Sequence, residues 1–194
     1  KTGETFIVED PSTGKEIAKV ASCSKEEVQE AVASSAVAFK EWKDTSGEER
    51  YHLLMDIYNI VIENKEELAE VLSRENGKPF KDAVGEVVFG ASFLRWYAEE
   101  AKRLYGEIIP SFNKGKRISV IKQPVGVVAI ITPWNYPFAM LARKFATALA
   151  AGCTVVVKPA ESTPLTAIKF FEYADRTHLP KGLAHLVVGE PQQA

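Results

Sequence analysis

The chain has 194 residues, of which 46% are hydrophobic and 26% are charged. This is the composition of a globular protein with enough apolar side chains for a sizeable core. Its 24 basic and 26 acidic residues leave a net charge of -2, which argues against nucleic acid or an anionic membrane as a partner. The longest apolar run, residues 125–131, is far shorter than the roughly 20 residues needed to span a bilayer.

The cysteines and histidines are too few and too scattered for a disulfide framework or a zinc site. Cys23 and Cys153 lie far apart in the chain, and the three histidines form no ligand cluster around them. We therefore predict no metal site. The chain shows no charged-then-apolar leader after Lys1, so we predict no secretory signal and expect a reducing, cytoplasmic setting.

The chain opens with a predicted β-hairpin. Residues 5–8 and 16–20 have strand character, and residues 10–14, Asp-Pro-Ser-Thr-Gly, have the composition of a tight turn.

The next hundred residues are predicted to be mostly helical. Three residue pairs have the spacing of a capping box and each predicts a helix start: Ser24 with Glu27, Ser46 with Glu49, and Asn64 with Glu67. The first helix is expected to bury a stripe formed by Val28, Val32, Phe39 and Trp42. Gly77 is expected to end the third helix. A fourth begins near Pro79, buries a stripe that starts at Phe80, and runs to about Lys102.

From residue 106 onward the pattern changes to strands alternating with helices. Residues 106–109 and 117–123 are predicted strands flanking a loop, and residues 125–131 have the apolar character of a strand buried on both faces. After a rigid turn at residues 132–137, we predict in order a helix at 137–150, a strand at 154–158, a helix at 163–177 and a strand at 184–188. This alternation predicts parallel β-α-β units.

Ligands of open parallel sheets bind beyond the carboxyl ends of the strands, where two turns here carry unusual residues. The first contains Trp134 and Asn135, and the second contains Lys158 and Glu161. Asn135 is either a helix cap or a donor to a developing oxyanion. Trp134 either packs in the protein or forms an apolar wall for an adenine ring. The three-glycine dinucleotide fingerprint is absent from both turns.

Three charged residues admit both a structural and a functional interpretation. Lys158 and Glu161 form either an exposed ion pair or a pair of groups that bind ribose hydroxyls. Arg143 is expected opposite the apolar stripe of its helix, where it is either a solvated side chain or a bidentate ligand for a carboxylate.

Five segments together resemble the aldehyde dehydrogenase superfamily over essentially the whole chain. They are Glu75-Asn76-Gly77-Lys78-Pro79, residues 96–103, Thr132-Pro133-Trp134-Asn135-Tyr136-Pro137, residues 148–153, and Lys158-Pro159-Ala160-Glu161-Ser162-Thr163-Pro164. Within the superfamily, Arg143-Lys144 and the segment ending at Arg103 are similar to succinate-semialdehyde dehydrogenases, although Leu141-Ala142 replaces the more usual Ile-Thr.

The resemblance implies an α/β fold, the N-terminal part of an aldehyde-dehydrogenase-like Rossmann variant. It has a preceding helical segment and a β-hairpin oligomerisation arm. We expect residues 1–105 to be a mostly helical part of the cofactor-binding domain and residues 106–124 to be the arm. Residues 125–194 would hold the first β-α-β units. A homodimer or homotetramer of the full-length enzyme is implied.

The resemblance also assigns roles to the candidate residues. Asn135 becomes the oxyanion donor, and Arg143 becomes a ligand of the substrate's distal carboxylate. The contacts to NAD or NADP are implied to be Ile131, Thr132, Pro133, Trp134, Lys158 and Glu161. A carboxylate near the ribose would repel a 2′-phosphate, so Glu161 favours NAD over NADP.

The implied activity is the NAD(P)-dependent oxidation of an aldehyde, with succinate semialdehyde as the expected substrate and succinate as the product. The nucleophilic cysteine and the general base of the family are expected beyond residue 194, so we expect the chain to be inactive alone. The alternatives are a dehydrogenase for another semialdehyde or a neutral aldehyde, and a cofactor-binding or assembly fragment without catalysis.

Overall fold

The computed structural model describes residues 3–189. In chain order its elements are β1 (Thr5–Asp10), β2 (Lys15–Ala21), α1 (Lys25–Trp42), α2 (Gly47–Glu63), α3 (Lys65–Asn76), α4 (Phe80–Ala101), β3 (Glu107–Pro110), β4 (Arg117–Val120), β5 (Val127–Ile131), α5 (Ala139–Ala150), β6 (Thr154–Lys158), α6 (Leu165–Ala174) and β7 (Ala184–Leu186). The mixed α/β class and the change from helices to β-α-β units are as predicted. No helix in the described range is both long and apolar enough to cross a membrane.

The centre of the fold is a parallel sheet of order β5-β6-β7. Because side chains alternate along a strand, the sheet has two apolar faces. Val156 and Val187 face Ala31 of α1 on one side. Val155 and Val157 join the main core on the other side, where α5 and α6 pack and are backed by α2, α3 and α4. The sheet is therefore enclosed between α1 and a two-layer helical body.

The two antiparallel hairpins differ in how far they are covered. β1 pairs with β2 across the predicted turn, in which the Gly14 amide donates to the Asp10 carbonyl at 2.7 Å. Val8 and Val20 of this hairpin pack against Val188. The β3–β4 hairpin, by contrast, has no buried residue, and β4 ends at Val120 rather than at the predicted residue 123.

The prediction that residues 125–131 form a strand buried on both faces is wrong. β5 begins at Val127, and Ile130 is its one buried residue, whereas Ile131 is 70% exposed. The physical reason is that β5 lies at the edge of the sheet built by residues 3–189, while β6 is central and is buried from Thr154 to Val157. A continuous apolar run does not by itself distinguish a central strand from an edge strand.

The third predicted capping box is also absent. Asn64 makes no side-chain cap to α3, because a single residue separates α2 from α3 and Asn64 ends the earlier helix. Its side-chain amide donates to the Ile60 carbonyl at 2.7 Å. The capping boxes at Ser24 and Ser46 are both confirmed.

Two predicted apolar stripes contain exposed members. Val32 of α1 is 44% exposed, and the buried residues of this helix are Ala31, Ser35 and Trp42. Phe80 is 48% exposed because it begins α4, before that helix enters the core at Ala83. Val32 therefore lies one position away from the side of α1 that packs, whereas Phe80 lies on the packed side of α4 but before the core begins.

Arg50 is a buried cation that binds main-chain carbonyls at the ends of two helices. It is 6% exposed, and its guanidinium donates to the Lys43 carbonyl after α1 at 3.0 Å and to the Ala150 carbonyl of α5 at 3.3 Å. A positive charge is favourable at a helix C-terminus, where carbonyls lack partners within the helix. Gly152 has a positive φ of 83°, and a Cβ at this position would lie 2.6 Å from the guanidinium.

Two glycines of α4 provide a matched test of the contact between α4 and α5. A Cβ on Gly90 would lie 2.6 Å from the Phe138 ring, whereas a Cβ on Gly85 would meet nothing within 4 Å. We expect Gly90→Ala to lower the free energy of unfolding by about 1–3 kcal/mol through overpacking. Gly85→Ala should raise it by about 0.5–1 kcal/mol through helix propensity. Urea unfolding of both variants measures this, and a stabilised Gly90→Ala chain would contradict the packing described.

Candidate functional site

The candidate site begins where β5 ends. The Thr132 amide continues the strand pairing by donating to the Lys158 carbonyl at 3.2 Å, and Thr132 is buried. The chain then turns outward, so that Trp134 is 62% exposed and Tyr136 is 47% exposed. Phe138 returns to the core with no exposed surface. The turn therefore presents Trp134, Asn135 and Tyr136 at the carboxyl end of the sheet.

Asn135 is not a helix cap. α5 begins at Ala139, four residues later, and no side chain at the local N-cap position bonds to it. Within residues 3–189, the exposed side-chain amide of Asn135 has no hydrogen-bond partner, although its main-chain carbonyl accepts a bond from Lys78 at 3.1 Å. The amide is thus left free to donate to a ligand. Donation to an oxyanion stays a prediction.

The segment Glu75-Asn76-Gly77-Lys78-Pro79 holds this turn from the side. The Asn76 side-chain amide donates to the Trp134 carbonyl at 2.8 Å, and the Lys78 ammonium donates to the Asn135 carbonyl. The Lys78 ammonium also lies 4.5 Å from the centroid of the Tyr136 ring, a cation–π contact. Gly77, with φ 80°, supplies the left-handed backbone conformation in which α3 ends, in the middle of this segment.

Glu86 of α4 completes the support. Its side chain is 1% exposed and forms an ion pair with Lys78. Its Oε1 atom accepts hydrogen bonds from the amides of Phe138 at 2.9 Å and Ala139 at 3.2 Å. Glu86 therefore supplies the cap that α5 lacks in its own sequence, and it puts a negative charge at the positive end of that helix.

Glu75 does the same for α6. Its carboxylate accepts bonds from the amides of Leu165 at 2.7 Å and Thr166 at 2.8 Å, and from the Thr166 hydroxyl. Burial raises the pKa of the Glu75 carboxyl to about 7, outweighing these three hydrogen bonds, which lower it. Each helix that leaves a strand of the parallel sheet is thus capped by a buried glutamate from the helical body.

Lys158 and Glu161 do not form the ion pair that one interpretation of the sequence allowed. The Lys158 ammonium donates instead to the Gly189 carbonyl at 3.0 Å, and Glu161 is exposed. Among the ion pairs of residues 3–189, none joins these two side chains. Lys158 is the last residue of β6 and pairs with the exposed Ile131 at the end of β5, and Glu161 follows three residues later. A role in binding ribose stays a prediction.

Arg143 lies on the exposed side of α5, as the helical periodicity predicted. It lines an open groove of about 590 Å³ along the edge of β5, together with Tyr97, Val128, Lys144 and Thr147. No carboxylate within residues 3–189 pairs with its guanidinium. A second groove, of about 680 Å³, lies beside the turn and is lined by Lys78, Glu86, Phe89, Tyr136 and Met140. Arg143 does not line that second groove.

Several residues of this site were given no role by the sequence. Asn76, Lys78 and Glu86 hold the turn, and Glu75 and Arg50 hold helix ends. One sequence signal was available for Glu75, which follows Leu68 by seven positions and Leu72 by three and so lies on the apolar side of α3. Carboxylates in such positions are rarely buried without partners.

The free thiols and the metal-ligating groups add no further centre. Cys153 is buried in the main core, and Cys23 is partly buried. Within residues 3–189, no three His, Cys, Asp or Glu side chains lie together as a metal ion would require.

The pKa of Glu75 leads to a pH test of stability. Because the folded chain holds this proton more tightly than the unfolded chain, the free energy of unfolding should fall as the pH rises from 4.5 to about 7. The decrease should be about 3 kcal/mol at most and should level off at higher pH. Urea unfolding of wild type and Glu75→Gln over this pH range isolates the contribution of Glu75 to the free energy of unfolding, because the variant lacks the titrating group.

Glu70→Gln is the matched control for that experiment. Glu70 lies on the same helix and is exposed, so its replacement should leave the pH dependence of wild type unchanged. A wild-type chain that gains stability relative to Glu75→Gln as the pH rises would show that the three donors hold the Glu75 carboxyl ionised, contrary to the raised pKa.

Comparisons with known proteins identify the family to which this arrangement belongs. The family model described as "Aldehyde dehydrogenase family" matches residues 1–194. Mitochondrial succinate-semialdehyde dehydrogenase of Homo sapiens is 48% identical over 183 residues, which are 94% of this chain and 34% of that protein. 3-Sulfolactaldehyde dehydrogenase of Pseudomonas putida is 46% identical over 192 residues, which are 99% of this chain and 40% of that protein.

Solved structures agree with this assignment. The chain matches an E. coli NADP dependent enzyme with a TM-score of 0.97 and 41% identity, covering 98% of this chain and 40% of that one. It matches betaine aldehyde dehydrogenase from Staphylococcus aureus in complex with NAD+ with a TM-score of 0.95 and 32% identity, covering 98% and 38%. The chain spans little more than a third of the length of these relatives. It belongs to the aldehyde dehydrogenase family.

Proposed function

We propose that this chain is the N-terminal, cofactor-binding part of an NAD(P)-dependent enzyme that oxidises succinate semialdehyde to succinate. One observation carries the proposal. The Asn135 side-chain amide is exposed at the carboxyl end of β5 and has no hydrogen-bond partner among residues 3–189, while the main chain around it is held by Asn76 and Lys78. A fixed turn with a free donor is the arrangement that stabilises charge on a reacting oxygen.

The residues around the two strand ends fit a dinucleotide. Trp134 and Ile131 offer exposed apolar surface, and Ile131 pairs with the half-buried Lys158 across the two strands. Thr132 and Pro133 line the same cleft through their backbone, and Lys158 and Glu161 would bind ribose hydroxyls. An oxyanion forms when the nucleophile that we expect beyond residue 194 adds to the aldehyde carbon, and Asn135 would donate to the aldehyde oxygen as it gains negative charge in that addition. A nicotinamide held at this site would supply the acceptor for the hydride that leaves the same carbon when the C=O bond re-forms.

The cofactor proposal favours NAD over NADP because a carboxylate at Glu161 would repel a 2′-phosphate. The E. coli relative is described as NADP dependent and the Staphylococcus relative is bound to NAD+, so both cofactors occur in the family. A strong preference of the complete enzyme for NADP in catalytic efficiency would contradict this part of the proposal.

The substrate proposal depends on Arg143. Its guanidinium is exposed and has no ion-pair partner within residues 3–189, and an arginine binds a carboxylate with two parallel hydrogen bonds. Succinate-semialdehyde dehydrogenase and 3-sulfolactaldehyde dehydrogenase, two of the relatives described above, are named for aldehydes with a negative group at the far end. This group is a carboxylate in succinate semialdehyde and a sulfonate in 3-sulfolactaldehyde. The sulfonated aldehyde is therefore our second candidate substrate.

Two further properties of the complete enzyme are proposed. The β3–β4 hairpin exposes apolar side chains that include Ile108, Ile118 and Phe112, and we propose that it joins subunits into a homodimer or homotetramer. Cys23 and Cys153 are free thiols, which fits the reducing cytoplasm that we propose as its location.

Arg143→Ala tests the substrate proposal in the complete enzyme. We expect KM for succinate semialdehyde to rise about 10- to 100-fold, because a charged hydrogen-bonded contact is lost. KM for propanal, which has no distal charge, should change less than about twofold. Steady-state kinetics with both aldehydes measures this difference.

Arg74→Ala is the matched control, since it removes an exposed arginine of α3 that lines neither groove. It should leave the preference for the acidic aldehyde in place. An Arg143→Ala enzyme with an unchanged KM for succinate semialdehyde would contradict the assignment, and a complete wild-type enzyme that oxidises no aldehyde would contradict the proposed function as a whole.

A further inference from the structure

We propose that Lys78, anchored by Glu86 and assisted by Asn76, is a positioning residue that fixes the orientation of Asn135 for catalysis. The inference rests on the proposed function, because it assumes that Asn135 donates to the reacting oxygen. None of the three residues was assigned a role from the sequence. None is required to touch the aldehyde.

Three successive parts of the turn are bound by side chains from α4 and from the segment before that helix. Asn76 donates to the Trp134 carbonyl, Lys78 donates to the Asn135 carbonyl, and Glu86 accepts from the amides of Phe138 and Ala139. The main chain on both sides of the Asn135 side chain is therefore fixed, although that side chain is exposed.

Lys78 is held as tightly as the turn that it binds. Its side chain is 17% exposed, its ammonium forms an ion pair with the buried Glu86, and it faces the Tyr136 ring at 4.5 Å. A lysine usually keeps its ammonium in water because hydration is strong. Here the ammonium has a carboxylate, a carbonyl and an aromatic face as partners, so its position is well determined.

Glu86 binds both the turn and Lys78, so that the three form one connected unit. Its Oε1 atom binds the start of α5 while its Oε2 atom binds Lys78. Displacing Lys78 would leave the carboxylate with unbalanced charge at the point where α5 begins, and would release the Asn135 carbonyl. A shift of about 1 Å in a catalytic group costs on the order of 100-fold in rate, so this support bears directly on turnover.

The site therefore makes a specific kinetic prediction for the complete enzyme. Lys78→Met should lower kcat about 10- to 100-fold, because the Asn135 donor is no longer held in place. KM for NAD should stay within about twofold, because Asn76 still holds the Trp134 carbonyl and because Lys158 and Glu161 lie on the other turn. Lys40→Met removes an exposed lysine from α1, away from the turn, and should leave both constants unchanged.

A double-mutant cycle separates positioning from a general structural effect. If Lys78 acts through Asn135, adding Lys78→Met to Asn135→Ala should lower kcat by less than about twofold further. Asn76→Ala should behave in the same way with a smaller effect of its own. If Lys78→Met fails to give a folded enzyme by circular dichroism, the cycle with Asn76→Ala provides the test.

Multiplicative losses in the cycle, or full activity of Lys78→Met, would overturn the inference. The failure of the proposed function has a different signature: a folded wild-type enzyme without aldehyde dehydrogenase activity, or an Asn135→Ala enzyme with unchanged kcat. The two hypotheses are therefore tested by different enzymes: the Lys78→Met variants test the positioning role, and wild type and Asn135→Ala test the proposed function.

Discussion

The fold depends on how the two helices that follow strands of the parallel sheet satisfy their first amides. α5 and α6 both start without a side-chain cap from their own neighbouring residues. Unpaired amides at a buried helix start would cost free energy, and the positive end of the helix dipole lies at each start. Glu86 meets both requirements from the helical body, and Glu75, whose pKa is raised to about 7 by burial, accepts hydrogen bonds from the first amides of α6. The parallel sheet and the helices behind it are thereby joined by hydrogen bonds as well as by apolar packing.

α5 is held in this way at both ends. Glu86 binds its first amides, and Arg50 binds the Ala150 carbonyl at its end. The signs of the two charges match the helix dipole, negative at the start and positive at the end. Because α5 directly follows the turn that carries Asn135, the same contacts that stabilise the fold also define the candidate site. Burying Glu75 and Glu86 is costly, and the raised pKa of Glu75 reflects that cost.

The sequence predicted those features whose signals are local. The two confirmed capping boxes, the turn at Gly14 and the change from helical to β-α-β spacing all depend on residues within a few positions of one another. The contacts that shape the site join residues that are far apart in the chain. Glu86 bonds to an amide 52 positions away, Glu75 to one 91 positions away, and Arg50 to a carbonyl 100 positions away. The burial of β5 was mispredicted for a related reason, since an edge position is a property of the whole sheet. The sequence nevertheless predicted that Trp134 and Asn135 follow β5 and that Lys158 and Glu161 lie at the end of β6, whereas the roles of these residues stay predictions.

The most direct test of the remote capping is hydrogen exchange at single amides of this chain, which needs no catalytic activity. In wild type, the amides of Phe138 and Ala139 should be protected as strongly as those inside α5. In Glu86→Met, which removes the acceptor but keeps an apolar side chain of similar length, they should exchange at least about tenfold faster. The amides of Leu165 and Thr166, bound by Glu75, should keep their protection. Equal exchange of Phe138 and Ala139 in wild type and variant would contradict the claim that Glu86 holds the start of α5.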